Sequence, residues 1–373
     1  YQDITGTRIK YLSSDPTLES SYEGQIWYNS TTGVNKTLIK FGAFVSGGNL
    51  NTSRYELGGA GTKTAGIVAG GYLGPPGNTG DAEEYNGFSW AEQNNLNTTR
   101  RTLTGFGTQT ASAFCGGYTS TTVANTELYN GSSFSETGDL NTGRYGHTGN
   151  GTQTAGLVYG GSGGDQATEE FDGSSWTSSN NTNVAGRRGV GGGTQTAAIY
   201  INRESPPGAS IKSHEQYDGT SWTTQADTNI AREYCSGSGS QDSCLTAGGS
   251  PNVATSELWD GTSFASSASM STGRGAAGMA GGTTVEGFIA GGDCSHAHKN
   301  ATEEFNFSIN TINKAAWASG GNLGTARYKV SGANQGTQDA ALAFGGRESG
   351  SPPSGPGNVT NKTEEYNGTS WSE

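Results

Sequence analysis

One pattern recurs seven times between Arg54 and the C-terminus, and that recurrence constrains the fold more than any other feature of the chain. A period of several dozen residues requires equivalent units that bury their faces against one another. The clearest copy reads RYGHTGNGTQTAGLVYGG from Arg144 to Gly161 and, after a variable stretch, TEEFDGSSWTSSN from Thr168 to Asn180. An aromatic residue after the glutamate marks the register. It is Tyr85, Tyr129, Phe171, Tyr217, Trp259, Phe305 and Tyr366, at separations of 44, 42, 46, 42, 46 and 61 residues.

Each copy divides into four short strand-like pieces. The first begins at an arginine (Arg54, Arg101, Arg144, Arg188, Arg232, Arg274 or Arg327) and ends at a turn that reads GTQT in three copies and a variant of it in the others. The second is an unbroken run of small and apolar residues such as TAGLVYGG, as expected of a strand buried on both faces. The third carries a glutamate (Glu84, Glu127, Glu170, Glu215, Glu257, Glu304 or Glu365), and an Asn-Gly or Asp-Gly hairpin signal follows it in six copies. The fourth opens on Trp90, Phe134, Trp176, Trp222, Phe264, Trp317 or Trp371.

Four antiparallel strands per repeat predict an all-β chain built as a β-propeller of seven blades, with a short N-terminal β-hairpin extension over 1–50 and the propeller over 51–373. The diglycine closing the second strand, the tyrosine ending the third and the tryptophan on the fourth resemble the kelch motif. That resemblance implies a scaffold and leaves the activity open, because kelch-like propellers serve as binding platforms, structural parts and enzymes. It also explains why 63 of the 373 residues are glycine. Inner strands of neighbouring blades approach too closely for larger side chains, and the turns need positive φ.

An Arg and a Glu in every blade serve the blade itself. The expected role of these fourteen residues is an ion pair joining the first and third strands or adjacent blades, costly to break because the survivor is left unpaired.

The segment ahead of the repeats has a different character. IWYNS, a turn at Thr31, Thr32 and Gly33, and TLIKF predict a hairpin. Gly24, Gln25, Ile26, Trp27, Tyr28, Asn29, Ser30, Thr31, Thr32 and Gly33 resemble a short module of phage tail fibres and related virion proteins. The resemblance implies a virion or extracellular location and docking to other virion or appendage proteins through this segment. FVSGGNLNTSRY from Phe44 imitates WASGGNLGTARY from Trp317, so Phe44 and Trp371 both qualify as the outer strand that closes the last blade. The chain ends at Glu373 just inside that strand, which suggests a continuation, and its start at Tyr1 without Met leaves a signal peptide or an N-terminal extension open.

The loops between strands two and three, together with the connections between blades, emerge on one face, and the near-constant turns on the other. The two-to-three loops vary most, and variable loops on a rigid scaffold are where recognition is placed. Tyr72, Tyr118, Arg203, His296 and Arg347 are the candidate contacts. A net charge of −12 without clustered Lys or Arg argues against a nucleic-acid partner, and no stretch is apolar enough to insert in a membrane as a helix. No metal or cofactor is expected: Cys294, His296 and His298 form the one Cys-x-His-x-His run, which lacks a fourth ligand in sequence. Cys235 and Cys244 are close enough for one hairpin, but four small buried thiols are the simpler reading. The sequence therefore points to a non-enzymatic virion or appendage protein whose loops bind a host-surface glycan or protein. Two alternatives stay open, a purely structural subunit and a secreted carbohydrate-active enzyme with paired carboxylates at the channel mouth.

Overall fold

The computed structural model describes residues 10–14, 26–31, 34–75, 77–163, 165–250, 252–280, 285–294, 297–313, 327–328, 331–332, 341–344, 347–348, 363–366 and 371–372. They are all strands, turns and connections, and none is helical. Contacts divide the chain into two compact units, one formed chiefly by Leu38–Thr311 and the other by Ile26–Thr37 and Ile312–Glu373 with the first residues.

The larger unit is a β-propeller. Its first blade is the sheet Gly58–Thr62, Ala65–Ala69, Ala82–Tyr85 and Trp90–Gln93, each strand paired antiparallel with the next. Four more sheets of the same order follow, with inner strands Thr104–Thr108, Thr148–Thr152, Val190–Thr194 and Ser236–Gly239. In the sixth blade, Gly278–Ala280, Gly287–Ala290 and Thr302–Asn313 are completed by Val34–Ser46 as the outer strand. The ring therefore closes after six blades, not the expected seven.

The physical reason lies in one residue. In the first five blades the turn between the third and outer strands carries Gly87, Gly131, Gly173, Gly219 or Gly261, each with φ between +89° and +99°. The sixth repeat has Asn306-Phe307 at this point, and a phenylalanine resists positive φ. Its third strand accordingly runs on to Asn313 and leaves its edge to another segment. Phe44 fills the place of the missing aromatic, packing edge-on against Phe305 with centroids 4.9 Å apart, and Gly47 N–H donates to the Thr302 carbonyl at 2.9 Å. The described strands of the seventh repeat, Ser331–Gly332, Ala341–Phe344, Thr363–Tyr366 and Trp371–Ser372, form a four-stranded sheet of their own. In the same smaller unit Ile26–Asn29 pairs antiparallel with Val34–Thr37, the expected hairpin, and Lys10–Leu12 lies parallel beside it.

A circle of backbone hydrogen bonds confirms the count. The N–H of Thr102 donates to the Glu56 carbonyl, and Gly146, Arg188, Tyr234 and Ala276 each donate to the equivalent residue of the preceding blade. Glu56 N–H completes the circle on Ala276 at 2.7 Å. All six residues sit in the left-handed region with φ between +52° and +63°, and only Gly146 is suited to it by type. The junction of blades six and one also has its own ion pair: Lys63 replaces the turn glutamine and reaches Glu286 at 3.0 Å and the Asn306 side chain at 2.5 Å. Elsewhere Gln109, Gln153, Gln195 and Gln241 donate instead to two backbone carbonyls of the preceding blade.

The expected Arg–Glu pairs are present in all six ring blades, at corrected positions. They are Arg54–Glu83 at 2.5 Å, Arg100–Glu127, Arg144–Glu169, Arg203–Glu215 at 2.7 Å, Arg232–Glu257 at 3.4 Å and Arg274–Glu303 at 2.6 Å. Every one is buried. Each glutamate also accepts the backbone N–H of the connection entering its blade, as from Asn51 to Glu83 and Asn141 to Glu169, both at 2.7 Å. Arg100 rather than Arg101 holds the latch in blade two. In blade four Gly186 stands at the arginine position and Arg203 on the second strand reaches Glu215 instead, so Arg188 is not the latch. Glu84, Glu170 and Glu304 fall one residue past the latch. They accept the hydroxyls of Tyr129 at 3.0 Å, Tyr217 at 2.6 Å and Tyr85 at 2.6 Å in the next blade. Strand Arg327–Tyr328 holds Arg327 and Thr363–Tyr366 holds an exposed Glu365, while the contacts of these two side chains lie outside the description.

Glycine plays the two parts expected of it. A Cβ at Gly66 would clash with the Phe288 ring of blade six, and one at Gly156 with the Phe106 ring of blade two. Cys115, Cys235 and Cys244 are free thiols. Cys244 pairs with Gly239 at one end of its hairpin, whereas Cys235 precedes the other end, so the two cannot bridge.

The latch predicts a specific pattern of stability. Arg144→Met alone should destabilise the protein by about 3–5 kcal/mol, because Glu169 is left charged and buried, whereas Arg144→Met with Glu169→Leu should cost clearly less. Urea unfolding of the two variants against the unmodified chain checks this.

Candidate functional site

The blade connections build one mouth of the central channel. The residue after the latch-arginine position of each connection meets the residue after the second-strand diglycine, positions that Gly186 and Asn202-Arg203 occupy in blade four. The bridges are Tyr55 with Tyr72, Arg101 with Tyr118, Tyr145 with Ser162, Arg187 with Glu204 and Gly275 with Asp293, and in blade five Ser250 N–H donates to the Glu233 carbonyl at 2.8 Å. The left-handed residues come next and ring the channel itself.

Half of this mouth is an arc of rings and cations. His298 packs against Tyr55 at a tilt with centroids 4.7 Å apart, and Tyr55 meets Tyr72 edge-on at 5.4 Å. Arg101 lies over both Tyr72 at 4.6 Å and Tyr118 at 5.4 Å, Tyr118 meets Tyr145 at 5.4 Å, and Arg187 caps Tyr145 at 5.9 Å. Such ring–ring and cation–ring contacts fix the rings relative to one another. Glu56, Arg101, Thr102, Tyr118, Tyr145 and Arg188 line a polar recess of about 230 Å³.

The other half is acidic. Arg187 donates to Glu204 through Nε at 3.1 Å and Nη2 at 2.6 Å, and Arg188 donates to it as well while lying over the Tyr234 ring at 4.3 Å. These hydrogen bonds, that from Arg187 first, hold Glu204 down to about 2. Glu233 beside it is pushed up to about 7 by burial first and then by Glu204, so the pair keeps one proton over a wide range of pH. Burial also raises Glu56, against the opposing pull of Arg101 and Arg188.

Below the mouth the channel narrows through Leu57, Leu103, His147, Gly189, Cys235 and Ala277 to strand glycines such as Gly59, Gly105 and Gly149. His147 is held neutral, with its proton affinity lowered to about 3 by burial and then by Arg144. The turns between the third and outer strands are uniform in design: an Asn or Asp side chain accepts two backbone N–H groups, as Asn86 does from Phe88 and Ser89 and Asp172 from Ser174 and Ser175.

The sequence-predicted contacts separate accordingly. Tyr72 and Tyr118 stand together at the mouth with Arg101 between them. Arg203, expected at a ligand, is instead the buried latch of blade four, packed 4.0 Å over Tyr200. His296 lies outside the described residues. Arg347 is in a two-residue strand opposite Tyr328, and its side chain lies outside the description. Tyr55, Tyr145, Arg187, Glu204 and Glu233 were not anticipated. For Tyr55, Tyr145 and Glu233 the signal was the doublet at the strand start (RY or RE), whose second member lies at the mouth while the first is buried; Arg187 and Glu204 carried no such signal, because blade four has Gly186 in place of the arginine.

No protein-family model and no curated protein matches the chain. Among solved structures, one described as the structure of YjhT is similar at 13% identity, with a TM-score of 0.57, covering 71% of this chain and 99% of that one. At that identity the likeness supports the propeller fold alone.

The carboxyl pair predicts a pH dependence. Between the ordinary glutamate value of 4.5 and about 7, the folded protein holds at Glu233 a proton that the unfolded chain has lost, so stability falls as the pH rises through this window. Glu233→Gln should flatten that slope in thermal unfolding followed across the same range.

Proposed function

We propose that this chain is a non-enzymatic, kelch-like propeller of a phage tail-fibre-like virion or an extracellular appendage, which binds a host-surface glycan or protein at the axial mouth. The supporting observation is the asymmetry of the two faces. One carries repeated, self-satisfied turns, and the other carries a concave recess lined by the unlike side chains Glu56, Arg101, Tyr118 and Tyr145, with Tyr72 beside it against Arg101. Pockets with a few convergent polar groups among upright aromatics are the usual form of a saccharide or peptide site. The hairpin around Trp27, with its tail-fibre-like wording, is the element that docks the chain to a larger assembly.

A carbohydrate-active enzyme is the second reading, and the Glu204–Glu233 pair favours it. Two facts weigh against it. The carboxyls are hydrogen-bonded to each other, whereas glycoside cleavage needs them about 5–9.5 Å apart, and Glu204 is already neutralised by two arginines.

Arg101→Ala combined with Tyr118→Ala should lower binding to host cells by tenfold or more while shifting the unfolding midpoint little, because both side chains are partly exposed at the rim. Unchanged binding by the folded double variant would place recognition elsewhere.

A further inference from the structure

The mouth carries more unmet acceptors than donors. Glu56 Oε2 and Asp293 Oδ1 are buried and accept no hydrogen bond, against a single buried donor left unmet there, Nε of Arg188. Arg101 Nη1 stands 3.3 Å from Glu56 Oε2 without an aligned hydrogen bond. A buried acceptor without a partner is costly, and a ligand that donates to it recovers that cost.

The cations of the mouth are already engaged. Arg187 and Arg188 both bind Glu204, and Arg101 is held between two tyrosine rings beside Glu56. Each of the three arginines is ion-paired, Arg101 with Glu56 and Arg187 and Arg188 with Glu204, and Asp293 adds a further carboxyl group, so none of these arginines is without a carboxylate partner.

Building on the reading of the mouth as a glycan site, we infer that its ligand is a neutral, hydroxyl-rich sugar and not an acidic one. The hydroxyls donate to Glu56 and Asp293, and the apolar C–H face of the ring lies against Tyr72 and Tyr118. A carboxylate or sulfate in the same place would meet the Glu56 and Asp293 oxygens that accept no hydrogen bond, and like charges in a partly buried recess repel.

The test is a binding panel of neutral hexosides, each printed beside its uronic-acid counterpart, which replaces only the C6 hydroxymethyl group by a carboxylate. The unmodified full chain should bind neutral members at least tenfold more tightly than their acidic partners. Glu56→Gln, which keeps the shape and removes the charge, should narrow that ratio. Acidic members bound as tightly or more tightly, with the binding lost in Tyr118→Ala, would overturn this inference and leave the glycan site standing. Sugar binding that Tyr118→Ala leaves unchanged, or no binding by any member, would overturn the glycan reading and this inference with it. The ratio is measured on the unmodified protein, so the answer does not depend on how well a variant folds.

Discussion

The buried pairing of an arginine with a glutamate organises this propeller. In each blade the glutamate of the third strand neutralises an arginine of the connection or second strand and accepts a backbone N–H from the connection that enters the blade. The arginines in turn bind carbonyls at the diglycine bend, as Arg144 does at Gly160 and Arg232 at Gly248. Two charges taken out of water are stabilised only when their remaining donors and acceptors are also met. The connection is therefore forced to one path over the blade, and the side chain that follows the latch is delivered to the mouth.

Ring size follows from local chemistry at the seam. The sixth repeat lacks the glycine that turns its third strand back, which leaves an edge that the strand ending at Ser46 completes. Once that edge is filled, Trp90 donates to Thr302 at 3.0 Å and Tyr85 to Glu304 at 2.6 Å, joining blade one to blade six by the same bonds that Trp176 makes to Thr126 and Tyr129 to Glu84 within the series. Strain is concentrated on the axis, where Glu56, Thr102, Arg188, Tyr234 and Ala276 all adopt positive φ. Non-glycine residues in that region cost on the order of 1–3 kcal/mol each, and such strain gathers at functional sites.

The blade architecture was legible because turn glycines, apolar runs and marker aromatics recur at a fixed spacing. Other features were not, for identifiable reasons. Doublets such as Glu83-Glu84 and Arg100-Arg101 hide which member is buried, since burial depends on the pleat and not on residue type. Arg203 escaped because the fourth blade moves its arginine to another strand. The axial circle left no trace in sequence, because it is made of backbone atoms and its side chains share no chemistry. Repeat number also exceeds blade number, and the decisive residue, Phe307, is a single absence of glycine. At the site, two of the five expected contacts, Tyr72 and Tyr118, lie at the mouth, and their arginine partner was visible but assigned to structure.

The central claim is that blade six abuts blade one, and zero-length carbodiimide cross-linking read by mass spectrometry tests it most directly. Lys63 Nζ lies 3.0 Å from Glu286 Oε2, so the account predicts a Lys63–Glu286 cross-link in the native protein. A cross-link from Lys63 to Glu364 or Glu365 instead would place the seventh repeat between those blades and contradict it.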